Sequence, residues 1–379
     1  MKITDIDVIE LRGASTTQAD STQQASIIRI ETDTGHVGYG QSEAAAAIVR
    51  AAVDISAQYA TSEGLRSSIL GQDPRRIHHL WDRMYNNSLY FGRRGAVPMA
   101  MSGVDIALYD LVGKTTELPI YQLLGGKRHE RIPTYASLLA PTSGTETSTL
   151  IRTCIDRGFR AAKLAWGGLG SSLENDIELV GAAREAAGPD FKLMLDIGFA
   201  WENSDRAIRT LNQLERFGLE WVEEPVHPDR RADYRRLTAH SPVRIAGGEG
   251  LTTRFEFADL LDNEGVQVLQ PDVMKCGGIT EMRRIFEYAD MRGATCVPHC
   301  WNTGIGRAAA IHVLASSGNA PLLEYCTEIS ITDSLISGAP QMIDGSVTVS
   351  DAPGLGISID DEALGRLAAN PVNILSPIQ

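Results

Sequence analysis

Apolar and polar positions change rhythm along the chain. Residues 6–11 and 26–32 carry β-branched and alternating side chains that predict strands, and Gly35-His36-Val37-Gly38 reads as a turn between strands. From Ala44 onward the pattern becomes alanine-rich and amphipathic, with helical stretches at 100–112 and 120–124. Strands first and helices later predict an α+β unit over residues 1–128. Within it, residues 14–25 are polar and poor in apolar side chains, which predicts a long loop of the kind that serves as a lid or stays disordered.

After Gly125-Gly126 short β-rich runs alternate with helical runs, and Gly or Pro marks the joints. The β-rich runs lie at 133–139, 161–166, 192–196, 220–223, 243–246, 266–270, 295–298 and 322–325. Ser171-Ser172-Leu173-Glu174 is a capping-box pattern opening a helix over 173–187. Gly218, Gly265 and Gly293 follow helical runs at 205–217, 255–263 and 279–291, where C-caps belong. Eight strands with intervening helices predict a (β/α)8 barrel over 129–339, near the lower size limit of that fold. A doubly wound sheet is the alternative, but no Gly-rich phosphate turn follows the first strand. The tail, residues 340–379, is strand-like only at 346–350 and is expected to pack back on the N-terminal unit.

Composition narrows the function. With 35 Lys+Arg against 48 Asp+Glu, the net charge of −13 and the lack of a basic run argue against a nucleic-acid partner. No stretch of 18 apolar residues predicts a membrane span, and Met1-Lys2-Ile3-Thr4-Asp5 shows no secretion signal, so a cytoplasmic enzyme is expected. The five cysteines, Cys154, Cys276, Cys296, Cys300 and Cys326, are sparse and odd in number, which favours reduced thiols. Cys296 and Cys300 flank His299, yet no second ligand pair stands nearby to complete a zinc site.

In a barrel of this kind the chemistry sits at the C-terminal ends of the strands. The polar residues there are Lys163, Asp196, Glu223, Glu249, Asp272, His299 and Glu324, separated by 33, 27, 26, 23, 27 and 25 residues. One acid at one strand end says little; seven ionisable groups at the period of the fold converge on one mouth. Asp196, Glu223 and Glu249 come from successive strands, and three hard oxygen donors suit Mg²⁺. The bland alternative is that Glu223 or Glu224 makes a surface salt bridge. For Asp196, among Leu193-Met194-Leu195, an unpaired buried carboxylate would be costly, so a cation is expected beside it.

These motifs resemble the enolase superfamily, and within it the mandelate racemase subgroup. The resemblance rests on Gly158-Phe159-Arg160-Ala161-Ala162-Lys163, Trp221-Val222-Glu223-Glu224-Pro225, Ala246-Gly247-Gly248-Glu249, Gln270-Pro271-Asp272-Val273-Met274-Lys275-Cys276-Gly277-Gly278, Val297-Pro298-His299 and the tail Asp351 to Gly356. It implies an α/β fold, a modified TIM (β/α)8-type barrel with an α+β N-terminal capping domain. It also implies one Mg²⁺ per subunit, a homo-oligomer, and a small carboxylate substrate that loses its α-proton. Lys163 would add a second cation at the substrate oxygens. His299 would be the base, with Asp272 fixing its tautomer. Glu324 would donate a hydrogen bond if kept protonated, or else be a structural acid.

One departure matters. Members of the subgroup often end the second strand Lys-x-Lys, the second lysine being a base on the opposite face; here the run is Lys163-Leu164-Ala165-Trp166. Asp196-Ile197-Gly198 likewise lacks the histidine that some members place there. One-sided chemistry by His299 follows. The expected activity is dehydration of an aldonate or aldarate to a 2-keto-3-deoxy acid, with racemisation or epimerisation, cycloisomerisation, or a degenerate ligand-binding barrel as alternatives. Tyr90, Arg93 and Arg94 of the cap are candidates to grip the substrate, against simple surface ion pairing. Trp166 and Trp301 are candidates to wall the pocket, against plain packing.

Overall fold

The computed structural model describes residues 1–13, 24–56, 59, 61–301, 304–319, 322–327 and 330–369. Strands β1 (Ile3–Arg12), β2 (Gln24–Thr32) and β3 (Val37–Ser42) form an antiparallel sheet in that order. Ile3, Ile6, Ile9, Ile27, Ile28 and Ile30 are buried, so the β-branched positions that predicted strands also supply the core of the cap. Of the expected loop at 14–25, residues 14–23 lie outside the described residues, and Gln24 and Ala25 already belong to β2.

Helices α1 (Ala46–Asp54), α2 (Leu65–Ile69), α3 (Ile77–Asn87), α4 (Ala96–Thr116) and α5 (Ile120–Leu123) complete the cap. α4 begins after Gly95 and ends at Glu117, both with positive φ, and so runs beyond the predicted 100–112. It is long and apolar enough to cross a membrane, but 89% of its apolar window is buried inside the fold, which makes it a core helix. Its contact with β3 is backbone on backbone. A Cβ on Gly40 would stand 1.9 Å from the Gly103 carbonyl oxygen. Gly40→Ala should therefore lose about 3 kcal/mol of stability, since overpacking against backbone has little room to relax. An unshifted urea midpoint would contradict this packing.

The second unit is a parallel sheet of eight strands. β4 (Arg131–Leu139), β5 (Ala161–Ala165), β6 (Lys192–Asp196), β7 (Leu219–Glu223), β8 (Ile245–Gly247), β9 (Val268–Leu269) and β10 (Thr295–Cys296) pair in sequence, and β11 (Leu323–Cys326) pairs with β4. Between successive strands lie α6 (Gly144–Asp156), α7 (Leu173–Ala187), α8 (Ser204–Leu214), α9 (Arg231–His240), α10 (Thr253–Asp262), α11 (Gly278–Met291) and α12 (Ile305–Ser316). Cys300 N, just past β10, donates to Glu324 Oε2 on β11 at 2.6 Å and links the two ends of the sheet. Tyr135, Met194, Trp221, Ala246, Val268 and Val297 fill the interior from six strands or their ends, as a closed barrel requires.

Several local expectations shift. The N-cap of α7 is Ser172, whose side chain accepts from Asn175 N, so the capping pattern sits one residue later than Ser171 to Glu174 suggested. β9 and β10 are shorter than expected: Pro271 and Pro298, which have no N–H to pair, follow them, and Asp272 and His299 meet just beyond in an isolated parallel bridge. All five cysteines are buried thiols, outside any disulfide.

The tail divides its contacts. β12 (Ile336–Ser337) pairs with β15 (Ser358–Ile359); β13 (Met342–Ile343) and β14 (Ser346–Thr348) form a hairpin whose second strand pairs antiparallel with β4 of the barrel. The run 351–356 instead lies on the cap, where Leu355 N donates to buried Asp110. Helix α13 (Asp361–Leu367) continues there, and Ala368 bridges to Leu11.

Candidate active site

The strands deliver the predicted groups to one place. Ala165 pairs with Asp196 across β5 and β6, and Asp196 with Glu223 across β6 and β7, so the two carboxylates are register neighbours. Glu249 stands two residues beyond β8. One oxygen from each of Asp196, Glu223 and Glu249 lies within 4.8 Å of the others. Glu223 and Glu224 are both buried, which disposes of a surface salt bridge for either.

Lys163 is the buried counterion. Its Nζ lies 2.7 Å from Glu223 Oε2, 2.9 Å from Glu324 Oε1 and 3.9 Å from Asp196 Oδ2. Burial opposes its charge, but the surrounding carboxylates, led by Glu223, prevail and raise its pKa well above the ordinary lysine value. Gln270 Nε2 donates to the same Glu223 oxygen at 2.6 Å. The other oxygen, Glu223 Oε1, is buried without a hydrogen-bond partner among the described residues.

That orphan oxygen, in an all-carboxylate donor set, fits a hard divalent cation such as Mg²⁺. Electrostatics point the same way. Asp196 is pushed well above the usual carboxylate range, by burial first and by Glu223 next. Glu223 is raised for the same first cause, burial, despite Lys163. Glu249 differs: burial is outweighed by His299, Lys275 and Lys163, and its pKa falls to about 2.

His299 is 7% exposed and sits between two carboxylates. Its Nδ1 is 2.7 Å from Asp272 Oδ2, and its Nε2 is 3.1 Å from Glu249 Oε2. Asp272 is itself fixed, because Met274 N donates to its Oδ1 at 2.7 Å. Burial and Lys275 pull the imidazole down, but Glu249, Glu324 and Asp272 outweigh them and lift the pKa to about 10. With Asp272 on Nδ1, Nε2 is the nitrogen that can exchange a proton with a substrate, and in this structure it faces Glu249.

Glu324 corrects an expectation. Ser137 Oγ donates to its Oε1 at 2.6 Å, Lys163 Nζ lies 2.9 Å from the same atom, and Cys300 N donates to Oε2. These groups, with Lys163 the strongest against the cost of burial, hold its pKa below the ordinary value. Both oxygens of Glu324 thus face donors, and it serves here as an acceptor, the structural acid of the two expected roles.

A cavity of about 1140 Å³ opens over these groups, lined by Lys163, Asp196, Glu249, His299 and Glu324. Leu139, Ala165, Trp166 and Trp301 line it as well, and the cap contributes Glu10, Arg12, Gln24, Gln41 and Glu43. Tyr90, Arg93 and Arg94 do not. Tyr90 is 75% exposed and meets Tyr59 edge to face. Arg94 Nη1 donates to Tyr85 Oη at 2.9 Å, and its guanidinium stands over Phe255. The chain from Ser88 to Gly92 curls back on itself through Gly92 N to Ser88 O, which turns this segment toward α3 and α10 rather than the barrel mouth.

Three contributors escaped sequence reasoning. Lys275 lines the cavity 3.5 Å from Glu249 Oε1, Gln270 orients Glu223, and Ser137 orients Glu324. The signal for the first two was position alone, three residues after Asp272 and two before it.

Known proteins match most of the chain. The profile described as "Mandelate racemase / muconate lactonizing enzyme, N-terminal domain" matches residues 9–125, and "Enolase C-terminal domain-like" matches residues 146–363. An arabinonate dehydratase of Saccharolobus solfataricus is 33% identical over 94% of this chain and 92% of its own. A D-galactarolactone cycloisomerase of Agrobacterium fabrum is 32% identical over 89% of each. The crystal structure of the 3,6-anhydro-D-galactonate cycloisomerase from Zobellia galactanivorans superposes with a TM-score of 0.87 at 29% identity, over 98% of this chain and 100% of that one.

Proposed function

Since the chain belongs to the mandelate racemase / muconate lactonizing enzyme family, we propose that it is a Mg²⁺-dependent dehydratase of sugar acids, turning an aldonate or aldarate into a 2-keto-3-deoxy acid. The observation that carries this reading is the asymmetry of the site. A complete His299–Asp272 pair stands on one side, while the end of β5 offers Ala165 and Trp166, which neither take nor give a proton.

Asp196, Glu223 and Glu249 would hold the Mg²⁺, which as a Lewis acid stabilises negative charge on the substrate carboxylate. The protein's own groups do the rest. Lys163 adds a buried ammonium beside that carboxylate. Glu249 is the strongest of the groups that raise His299, so committing Glu249 to the cation would release Nε2 as a neutral base. His299 then takes the α-proton there while Asp272 holds the Nδ1 proton and stabilises the imidazolium. The protonated ring then gives its proton to the departing 3-hydroxyl on the same face. The resulting enol loses its 2-hydroxyl proton and gains one at C3 as it tautomerises to the keto acid. Elimination thus needs only one acid–base group, whereas racemisation needs a second on the opposite face.

The test uses arabinonate and its C2 epimer ribonate in D₂O with Mg²⁺, followed by NMR. One epimer should form keto acid at least ~100-fold faster than the other, because only one turns its α-proton toward His299. Interconversion of the epimers with deuterium at C2 and no keto acid would overturn the assignment. Ring opening is the second reading, since the same one-sided elimination expels a ring oxygen as readily as a hydroxyl, and two of the similar proteins are named cycloisomerases. Assay of the corresponding lactones separates the two.

A further inference from the structure

Trp166 is anomalous in three ways that packing does not explain. It follows Ala165 at the end of β5 with φ of 55°, in the left-handed region that a bulky L side chain rarely enters. Its side chain is left 55% exposed, although tryptophan is among the residues most rewarded by burial. Space for the ring is provided by a glycine: a Cβ on Gly198 would lie 2.8 Å from the indole Cδ1 and Nε1. The backbone is pinned in this conformation, Trp166 N donating to Asp196 O and Leu169 N donating to Trp166 O, each at 2.9 Å. A strained, exposed and specifically accommodated side chain beside a reaction site marks a functional constraint.

The cavity shows what that constraint serves. One wall is polar and ionisable, with Glu43, Glu249, Lys275 and His299. The wall beside Trp166 is apolar, with Leu139 at 42% exposure and Ala165. A hydroxyl directed at the indole face or at the Leu139 and Ala165 side chains would lose its water and find no partner, whereas C–H bonds would cover the indole face at no such cost. We infer that Trp166 is the specificity platform of the site, on which the hydroxylated chain of the substrate lays its C–H face. The ligand class is a sugar acid whose hydroxyls turn away from the indole. This rests on the sugar-acid reading above and adds which part of the substrate is read, and by what.

Calorimetry and indole fluorescence with Mg²⁺ present test it without depending on turnover, using two probes. Arabinonate carries the chain; glycolate carries only the α-hydroxy carboxylate. Trp166→Ala should weaken arabinonate binding by about tenfold or more, and Trp166→Phe by less than about threefold, because phenylalanine restores an apolar face. Glycolate should bind all three proteins alike. In turnover the loss should fall on KM more than on kcat. Arabinonate binding within about twofold of wild type in Trp166→Ala would overturn the platform. So would equal weakening of glycolate, which would mean a disturbed site rather than a lost surface. If arabinonate binds with the expected pattern but yields no keto acid, the dehydratase reading fails and the platform stands. If it does not bind the wild-type protein at all, both fail.

Discussion

Replacing His299 with asparagine should stop exchange of the substrate α-proton with D₂O and lower turnover by about 10³-fold or more, the scale of a general base. Asparagine preserves a donor toward Asp272 and approximates the ring's position, but its amide accepts no proton at physiological pH. The loss would therefore report chemistry rather than geometry. Asp272→Asn supplies the comparison. It leaves the imidazole in place, removes the charge 2.7 Å from Nδ1, and should cost only about 10–100-fold, the range for a partner that orients a catalytic group. Wild-type exchange in the His299 variant, followed by NMR, would move the base elsewhere.

Neutralising the carboxylate cluster should produce two effects of opposite sign. Asp196→Asn and Glu223→Gln should each reduce Mg²⁺ affinity by about 100-fold or more, because each removes one of the three charged ligands. Activity should fall with it. Yet the metal-free fold should not suffer. Burial already raises both carboxyl groups above their ordinary pKa, helped by Glu223 at Asp196 and, against the pull of Lys163, by Glu324 and Glu249 at Glu223, so losing one negative charge relieves the cluster. The metal-free variants should melt at or above the wild-type temperature, while the rise in melting temperature that Mg²⁺ gives the wild type disappears. Unchanged Mg²⁺ binding by calorimetry in both variants would show that the cation sits elsewhere.

Much of this site is legible in the amino-acid sequence, because a barrel converts sequence period into spatial convergence. A polar residue every 23–33 positions at the end of a β-rich run can point only to the shared mouth, and Lys163, Asp196, Glu249, His299 and Glu324 all line the resulting cavity, with Glu223 buried beneath them. What sequence does not convey is direction and protonation. Arg93 and Arg94 carry the right charge for a carboxylate, but a turn just upstream carries them away from the mouth. Glu324 has the same side chain whether it donates or accepts. Its state depends on Ser137, Lys163 and Cys300, which come from three different segments of the chain. The tail is expected to pack on the N-terminal unit, although its strand β14 pairs with β4 of the barrel and only the run 351–356 follows the cap; periodicity carries no information about such a division.

The cap is assembled from both sides of the barrel in sequence. Tyr39 bonds Asp361 across a separation of 322 residues, and Asp110 receives Leu355 N across 245. During synthesis the first three strands and α4 leave the ribosome long before these partners exist. Tyr39 N and Lys114 Nζ can reach one oxygen of buried Asp110 early, but its other oxygen must wait for Leu355 N while the entire barrel is made and closed. Contacts of such sequence separation are slow to form, and intermediates that lack them expose apolar surface. The wall that shuts the cavity is thus among the last parts to be secured, so an unfinished chain can own every residue of the carboxylate cluster and still have no enclosed chamber in which to use them.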